Sequence, residues 1–328
     1  SIVAMVTPFR NGKVDEPRLR ELVEFHVKNG TDGLVPCGTT GESPTLSHDE
    51  HKRVVEIVIE AAGGRIPVIA GTGSNSTAEA IEMTRHAEKA GAAGALIVSP
   101  YYNKPTQEGL YQHFRAIAET VDLPILVYNI QGRTAVNVET DTLARLARDC
   151  RNIVGVKEAS GSLEQMTQVV LACGPDFAVI SGDDTLTLPL LAIGGKGVIS
   201  VIANFVPKET AEMVHAALEG DWKRARELHL RLFPLSKAMF IETNPIPVKE
   251  AMAMLGMIAP EYRLPLCRMS EPNRDRLKKV LAQHRLIKEM VPVVSASVPR
   301  IAGLHSGSIW TSDDFDEPLP EAFWVGSA

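Results

Sequence analysis

The chain has 328 residues and a mass of 35.6 kDa, 45% hydrophobic and 23% charged, which is enough apolar material for a large core and excludes a peptide, a linker or a disordered tail. Lys plus Arg number 34 against 40 Asp plus Glu, a formal net charge of −6, so there is no overall positive footprint for nucleic acid or an anionic membrane and a small-molecule partner is expected. No apolar run approaches the ~20 residues of a membrane span, and the opening Ser1 to Phe9 lacks the basic start of a secretory leader.

In chain order, short apolar runs alternate with amphipathic segments. Ile2 to Thr7 and Gly33 to Pro36 read as the first two strands. Ser47 followed by Glu50 fits a capping box and opens a helix whose apolar stripe runs from Val54 to Ala62. Pro67 to Gly71 is a third strand, Ser76 with Glu79 opens a helix over Ala80 to Ala90, and Ala95 to Ser99 is a fourth strand. Ile125 to Tyr128, a helix over Leu143 to Arg148, Ile153 to Lys157, a third capping pair at Ser162 and Gln165, Ala178 to Ser181 and Gly197 to Val201 complete the series. All eight strands are continuous Val/Ile/Leu/Ala runs, as parallel strands buried on both faces require.

Eight βα units predict a closed α/β fold, a (β/α)₈ or TIM barrel. The alternative is an open doubly wound sheet. Its GxGxxG or Walker fingerprint is missing at every strand-to-helix turn; Gly71-Thr72-Gly73 comes nearest and lacks the third Gly. After Val201 the alternation gives way to helices over Lys208 to Leu218, Trp222 to Met239, Pro247 to Leu255 and Pro272 to His284. The expected organisation is a catalytic barrel over 1–220, a C-terminal helical domain over 221–287 and an atypical extension over 288–328. That extension holds Pro292, Pro299, Pro318 and Pro320, two of the three Trp, and five acidic residues with no Lys or Arg from Gly307 onward. It reads as a loosely ordered tail laid on the surface through Val291 to Val294 and the aromatics Trp310, Phe315, Phe323 and Trp324, or as a segment for a protein partner.

Reactive groups of a parallel barrel project from the C-terminal ends of its strands. The second strand runs into Cys37-Gly38-Thr39-Thr40-Gly41-Glu42-Ser43, where hydroxyls between glycines offer N–H and O–H groups to a carboxylate, or form an ordinary loop. The fourth ends in Tyr101-Tyr102-Asn103-Lys104, aromatics that also suit a barrel plug or an interface. At the end of the fifth, Tyr128 places a phenol at the tip and Arg133 follows five residues later, either as site residues or as a core cap and a surface charge. The sixth ends in Val156-Lys157-Glu158. A lysine at the edge of an apolar interior has its ammonium form disfavoured by desolvation, which frees the amine to form a Schiff base with a carbonyl substrate. The alternative for Lys157 is a salt bridge with a neighbouring acid. Cys37, Cys150, Cys173 and Cys267 form no CxxC pair and have no clustered His, so no metal site is expected and the thiols read as reduced, in the cytoplasm.

With these residues in place, the chain from Ser1 to about Ile287 resembles the dihydrodipicolinate synthase group of the N-acetylneuraminate lyase superfamily, class I pyruvate-dependent barrels. The matching motifs are Val3-Ala4-Met5-Val6-Thr7-Pro8-Phe9, Gly38-Thr39-Thr40-Gly41-Glu42-Ser43, Ile69-Ala70-Gly71-Thr72-Gly73, Pro100-Tyr101-Tyr102-Asn103-Lys104-Pro105, Tyr128-Asn129 with Gly132-Arg133-Thr134, Gly155-Val156-Lys157-Glu158, Ser181-Gly182-Asp183-Asp184 and Gly197-Val198-Ile199-Ser200. Within the superfamily, Tyr102, Arg133 and the Ser-Gly-Asp-Asp segment favour the synthase over lyases of sialic acid or 2-keto-3-deoxy-sugar acids.

The resemblance implies that Lys157 forms the imine with pyruvate and that Thr40, Tyr128 and Tyr102 relay protons, Tyr102 reaching into a neighbouring subunit's site. It implies that Thr39 and Thr40 hold the pyruvate carboxylate, Arg133 pairs with the carboxylate of L-aspartate 4-semialdehyde, and Ile199 lines the pocket. No cofactor is implied, since the protonated imine is the electron sink. The family further implies a homotetramer built as a dimer of dimers, and L-lysine inhibition at His48, His51, Asn75, Glu79 and Tyr101. Gln131 stands where the family usually has Pro, and Ala135 where Gly is frequent, so the Arg133 loop is expected to be less rigid. In the extension, 303–307 and 309–319 resemble the acidic, aromatic C-termini of some bacterial antitoxins, which fold onto a toxin; a scaffold that engages a basic partner through this tail is the non-enzymatic alternative.

Overall fold

The computed structural model describes residues 1–288; the expectations for the extension lie outside the described residues. Eight strands form one parallel sheet: β1 (Ile2–Ala4), β2 (Gly33–Val35), β3 (Ile69–Gly71), β4 (Gly94–Val98), β5 (Ile125–Asn129), β6 (Ile153–Glu158), β7 (Ala178–Ser181) and β8 (Gly197–Ser200). Each pairs with its sequence neighbour, and β1 pairs with β8. The ring closes between β2 and β3 through a parallel bridge at Leu34 and Val68, with the N–H of Leu34 donating to the Pro67 carbonyl and that of Gly71 to the Pro36 carbonyl, both at 3.0 Å. Closure removes both sheet edges, and with them the open-sheet alternative.

The strand at Ala178–Ser181 has the expected bounds, and each of the others differs from expectation by one to three residues at one or both ends. Pairing along β1 stops early because the N–H of Val6 is taken by the Asn204 side chain at 3.1 Å, and Thr7 donates its hydroxyl to the Gly41 carbonyl at 2.6 Å. A hairpin of Phe9–Arg10 against Lys13–Val14 follows. Its turn is Asn11-Gly12, both at positive φ, the dipeptide signal for a two-residue hairpin.

Helices cover the outer face of the ring: α1 (Glu16–Lys28), α2 (His48–Ala62), α3 (Thr77–Ala90), α4 (Gln107–Ala118), the short α5 (Gln131–Thr134), α6 (Thr140–Asp149), α7 (Leu163–Cys173), α8 (Thr187–Ala192) and α9 (Pro207–Leu218). Only Ser47 forms a complete capping box with its Glu50. At Ser76 and Ser162 the serine hydroxyl does accept the expected N–H, but Glu79 turns to the Ser74 hydroxyl and Gln165 to Glu158. Both serine N–H groups bond a serine hydroxyl two residues back instead.

Inside the ring, Ala4, Val35, Leu96, Leu126, Tyr128, Ile180 and Ile199 form one buried cluster. The helices α10 (Trp222–Ala238), α11 (Ile246–Met254) and α12 (Glu271–Gln283) share a continuous core with β1, α1 and α2, to which Leu232, Val248, Met252, Leu277 and Leu281 contribute. Burying side chains of this size yields roughly 1.5–3 kcal/mol each, so the C-terminal helices are held against the loop that follows β2. Polar groups reinforce that seam. The fully buried Lys249 pairs with buried Glu42, and Arg263 makes a two-pronged contact with Glu50 at 2.6 and 2.7 Å.

Candidate active site

Alternation along β6 sends Lys157 into the ring. It sits in register with Tyr128 on β5 and Ile180 on β7, both members of the interior cluster. Only 6% of Lys157 is exposed, and its amine lies 4.0 Å from the centroid of the Tyr128 ring, itself buried. Among the described residues this amine makes no ion pair and no hydrogen bond, so the salt-bridge alternative has no partner. Gly182 makes room for the lysine stem: a Cβ there would stand 3.1 Å from Lys157 Cε and 2.6 Å from Ala159 Cβ.

The loop after β2 is a succession of tight turns. The N–H groups of Gly41 and Ser43 return to the Gly38 carbonyl, and that of Glu42 to the Thr39 carbonyl. It is pressed onto β3, where a Cβ at Gly71 would meet the Cys37 carbonyl at 2.5 Å. Thr40 is buried and accepts a hydrogen bond from the Asn244 side-chain amide at 3.1 Å, which leaves its own hydroxyl proton free to donate elsewhere. Thr39 is half-buried. The Asn244 backbone carbonyl accepts from Arg133 Nη2 at 3.1 Å, so one residue braces both Thr40 and the guanidinium. Arg133 is carried on α5, a single helical turn whose cap, Ala135, has φ +58°. A left-handed conformation at a residue other than Gly costs about 1–2 kcal/mol, so the departure at this position is a strained cap.

A cavity of about 380 Å³ opens at this end of the ring. Thr39, Tyr128 and Arg133 line it together with His48, His51, Glu79 and Tyr101, so two groups of expected site residues face one continuous space. Lys157 and Thr40 lie outside its lining, the former against the face of Tyr128. Ile199 is buried in the ring interior. Asn75 is tied to this region, donating to the Tyr101 carbonyl at 3.2 Å. Burial pushes the His51 imidazole down to about 4, so it is neutral and donates from Nε2 to the Gly71 carbonyl at 2.8 Å. Tyr102 is not brought into the cluster; it is 90% exposed, at φ +73°.

Three further polar residues surround the site; two of them, Asp184 and Glu158, lie within motifs already noted but had no expected role there. Asn244 approaches from the segment before α11, more than 200 residues from Thr40, and no local pattern marks it. Asp184 is buried and joins the ends of β7 and β8, accepting from the Ser200 hydroxyl and from the N–H groups of Val201 and Ile202; burial raises its pKa against those bonds. Glu158, beside Lys157, is wholly buried. Its position in Val156-Lys157-Glu158 was the available signal.

The fold and the site together define a barrel enzyme with a buried, unpaired lysine amine at the C-terminal end of β6, among the described residues. The chain belongs to the dihydrodipicolinate synthetase family, whose model matches residues 1–284. A 4-hydroxy-tetrahydrodipicolinate synthase of Syntrophus aciditrophicus (strain SB) is 60% identical over 287 residues, covering 88% of this chain and 98% of the relative. The crystal structure of dihydrodipicolinate synthase from Aquifex aeolicus superposes with a TM-score of 0.87 at 54% identity, over 88% of this chain and 99% of that one. The enzyme from Cyanidioschyzon merolae, solved with lysine bound, matches with a TM-score of 0.85 at 44% identity, over 87% and 98% of the two chains.

Proposed function

We propose that this chain condenses pyruvate with L-aspartate 4-semialdehyde to 4-hydroxy-tetrahydrodipicolinate in lysine and diaminopimelate biosynthesis, through a Schiff base on Lys157. The observation that carries the assignment of Lys157 is its buried amine, without a carboxylate partner among the described residues, against the ring of Tyr128. A neutral amine attacks the pyruvate C2, and loss of water from the adduct leaves a protonated imine. That loss requires a proton on the departing hydroxyl, and the protonated imine must then lose one from its methyl carbon to become the enamine. Tyr128 and Thr40 supply hydroxyls for both transfers without a second buried charge, and Tyr102 of a neighbouring subunit completes the relay. Thr39 and Thr40 hold the pyruvate carboxylate, and Ile199 forms the apolar floor.

Arg133, braced by the Asn244 carbonyl, takes the carboxylate of the second substrate. The enamine carbon attacks its aldehyde, the substrate amine closes on C2, and Lys157 is released. We further place the protein in the cytoplasm, where its four free cysteines stay reduced; among the described residues no helix is long and apolar enough to cross a membrane. The working assembly is a homotetramer, and L-lysine acts as inhibitor through His48, His51, Asn75, Glu79 and Tyr101, four of which share the cavity with Tyr128 and Arg133. Borohydride reduction in the presence of pyruvate, followed by peptide mass mapping, tests the assignment. The expected result is one reduced pyruvyl adduct on Lys157, absent in Lys157→Ala; an adduct elsewhere, or none, refutes it.

A further inference from the structure

On β5 and β6 the residues that follow Tyr128 and Lys157 are Asn129 and Glu158, again in register but on the outer face of the ring. Glu158 is a fully buried carboxylate with no cation at ion-pair distance among the described residues. Removing such a charge from water is costly, and the cost is offset only by hydrogen bonds. Glu158 accepts from the Ser160 N–H at 2.7 Å, from Asn129 Nδ2 at 3.1 and 3.3 Å, and from Gln165 Nε2 at 3.1 Å. The donors belong to different elements. Asn129 ends β5, Ser160 follows β6, and Gln165 lies in the first turn of α7.

The ring of bonds extends to the loop that carries Arg133. Asn129 donates to Asn137 Oδ1 at 2.8 Å and accepts from the Val138 N–H at 3.0 Å, while Asn137 donates to Gln165 Oε1 at 2.9 Å. Every member is satisfied, so the network has one low-energy arrangement rather than several. Only a group that is acceptor on both oxygens fits at its centre, because all its neighbours there are donors.

We propose that Glu158 is a positioning residue for the imine chemistry: its carboxylate clamps the tips of β5 and β6 from outside the ring, so that Lys157 and Tyr128 stay face to face inside it. The inference rests on the Schiff-base reading and deepens it. Glu158→Gln preserves size but introduces an N–H donor, which must face either the Ser160 N–H or the Gln165 amide. Misplacement of reacting groups by about 1 Å costs on the order of 100-fold in rate. The folded Glu158→Gln protein is therefore expected to trap pyruvate on Lys157 about 10- to 100-fold more slowly, with kcat falling in parallel and the pyruvate KM little changed.

Gln165→Leu keeps the carboxylate and removes one donor, and is expected to slow trapping roughly three- to tenfold; it decides the matter if Glu158→Gln does not fold. A variant that is folded by circular dichroism and traps at the unsubstituted rate overturns the proposal, since a merely structural residue lowers the melting point but leaves the trapping rate of the folded fraction intact. Absence of the adduct in the unsubstituted protein is the separate result that removes the Schiff-base reading itself.

Discussion

Lys249→Met isolates the seam between the C-terminal helices and the mouth of the barrel. Lys249 is fully buried on α11, paired with the buried Glu42 at the base of the threonine loop, with its amine 4.4 Å from the Phe9 ring centroid and 5.3 Å from that of Tyr262. Burial lowers the lysine pKa and Glu42 opposes that shift. Methionine fills nearly the same volume, so the substitution removes a charge and leaves little cavity. What stays behind is a carboxylate whose remaining contact across the seam is a long one, the Arg263 N–H at 3.5 Å.

Two routes give the magnitude. Two unit charges at about 4 Å in an effective dielectric of about 20 attract by roughly 4 kcal/mol, and breaking a buried pair by deleting one partner costs about 3–5 kcal/mol. The expected loss is therefore about 3–5 kcal/mol, read as a lower urea midpoint at unchanged m-value. Glu42→Gln in the same background should recover most of it, because two neutral groups leave no stranded charge. A loss below about 1 kcal/mol, or a double variant no more stable than Lys249→Met, would refute the reasoning.

Two further outcomes follow from the same geometry. Gly182→Ala forces a methyl against Ala159 Cβ and the Lys157 stem, so pyruvate trapping should fall by roughly 100-fold and stability by about 1–3 kcal/mol; trapping at the normal rate would show that the lysine stem does not need that space. His26, His51 and His113 are buried, with pKa values lowered by burial to about 3, 4 and 4. The unfolded chain binds these protons near the ordinary pKa of about 6.5, so stability is full above that pH and declines as pH falls toward 4. His51→Gln, which can keep a donor for the Gly71 carbonyl, should flatten the decline by about 1–3 kcal/mol in denaturation curves taken across that window; an unchanged slope would count against burial as the cause.

Local pattern in the chain was sufficient for the eight strands, for most of the helices and for the candidate nucleophile, because each is written in neighbouring residues. A continuous Val/Ile run codes for a strand covered on both faces, Ser47 with Glu50 for a helix start, and Val156-Lys157 for an amine at the rim of an apolar interior. The hairpin at Asn11-Gly12, absent from the expected elements, is equally local in origin. What tertiary structure alone decided is which distant groups meet. Closure at Leu34 and Val68, the bracing of Thr40 and Arg133 by Asn244, and the pairing of Lys249 with Glu42 join groups brought together by the curvature of the ring and by helices docked on its outside. Periodicity carries no record of such contacts: they depend on the sum of many backbone turns, and their polar partners are chosen by burial, which exists only once the chain has folded.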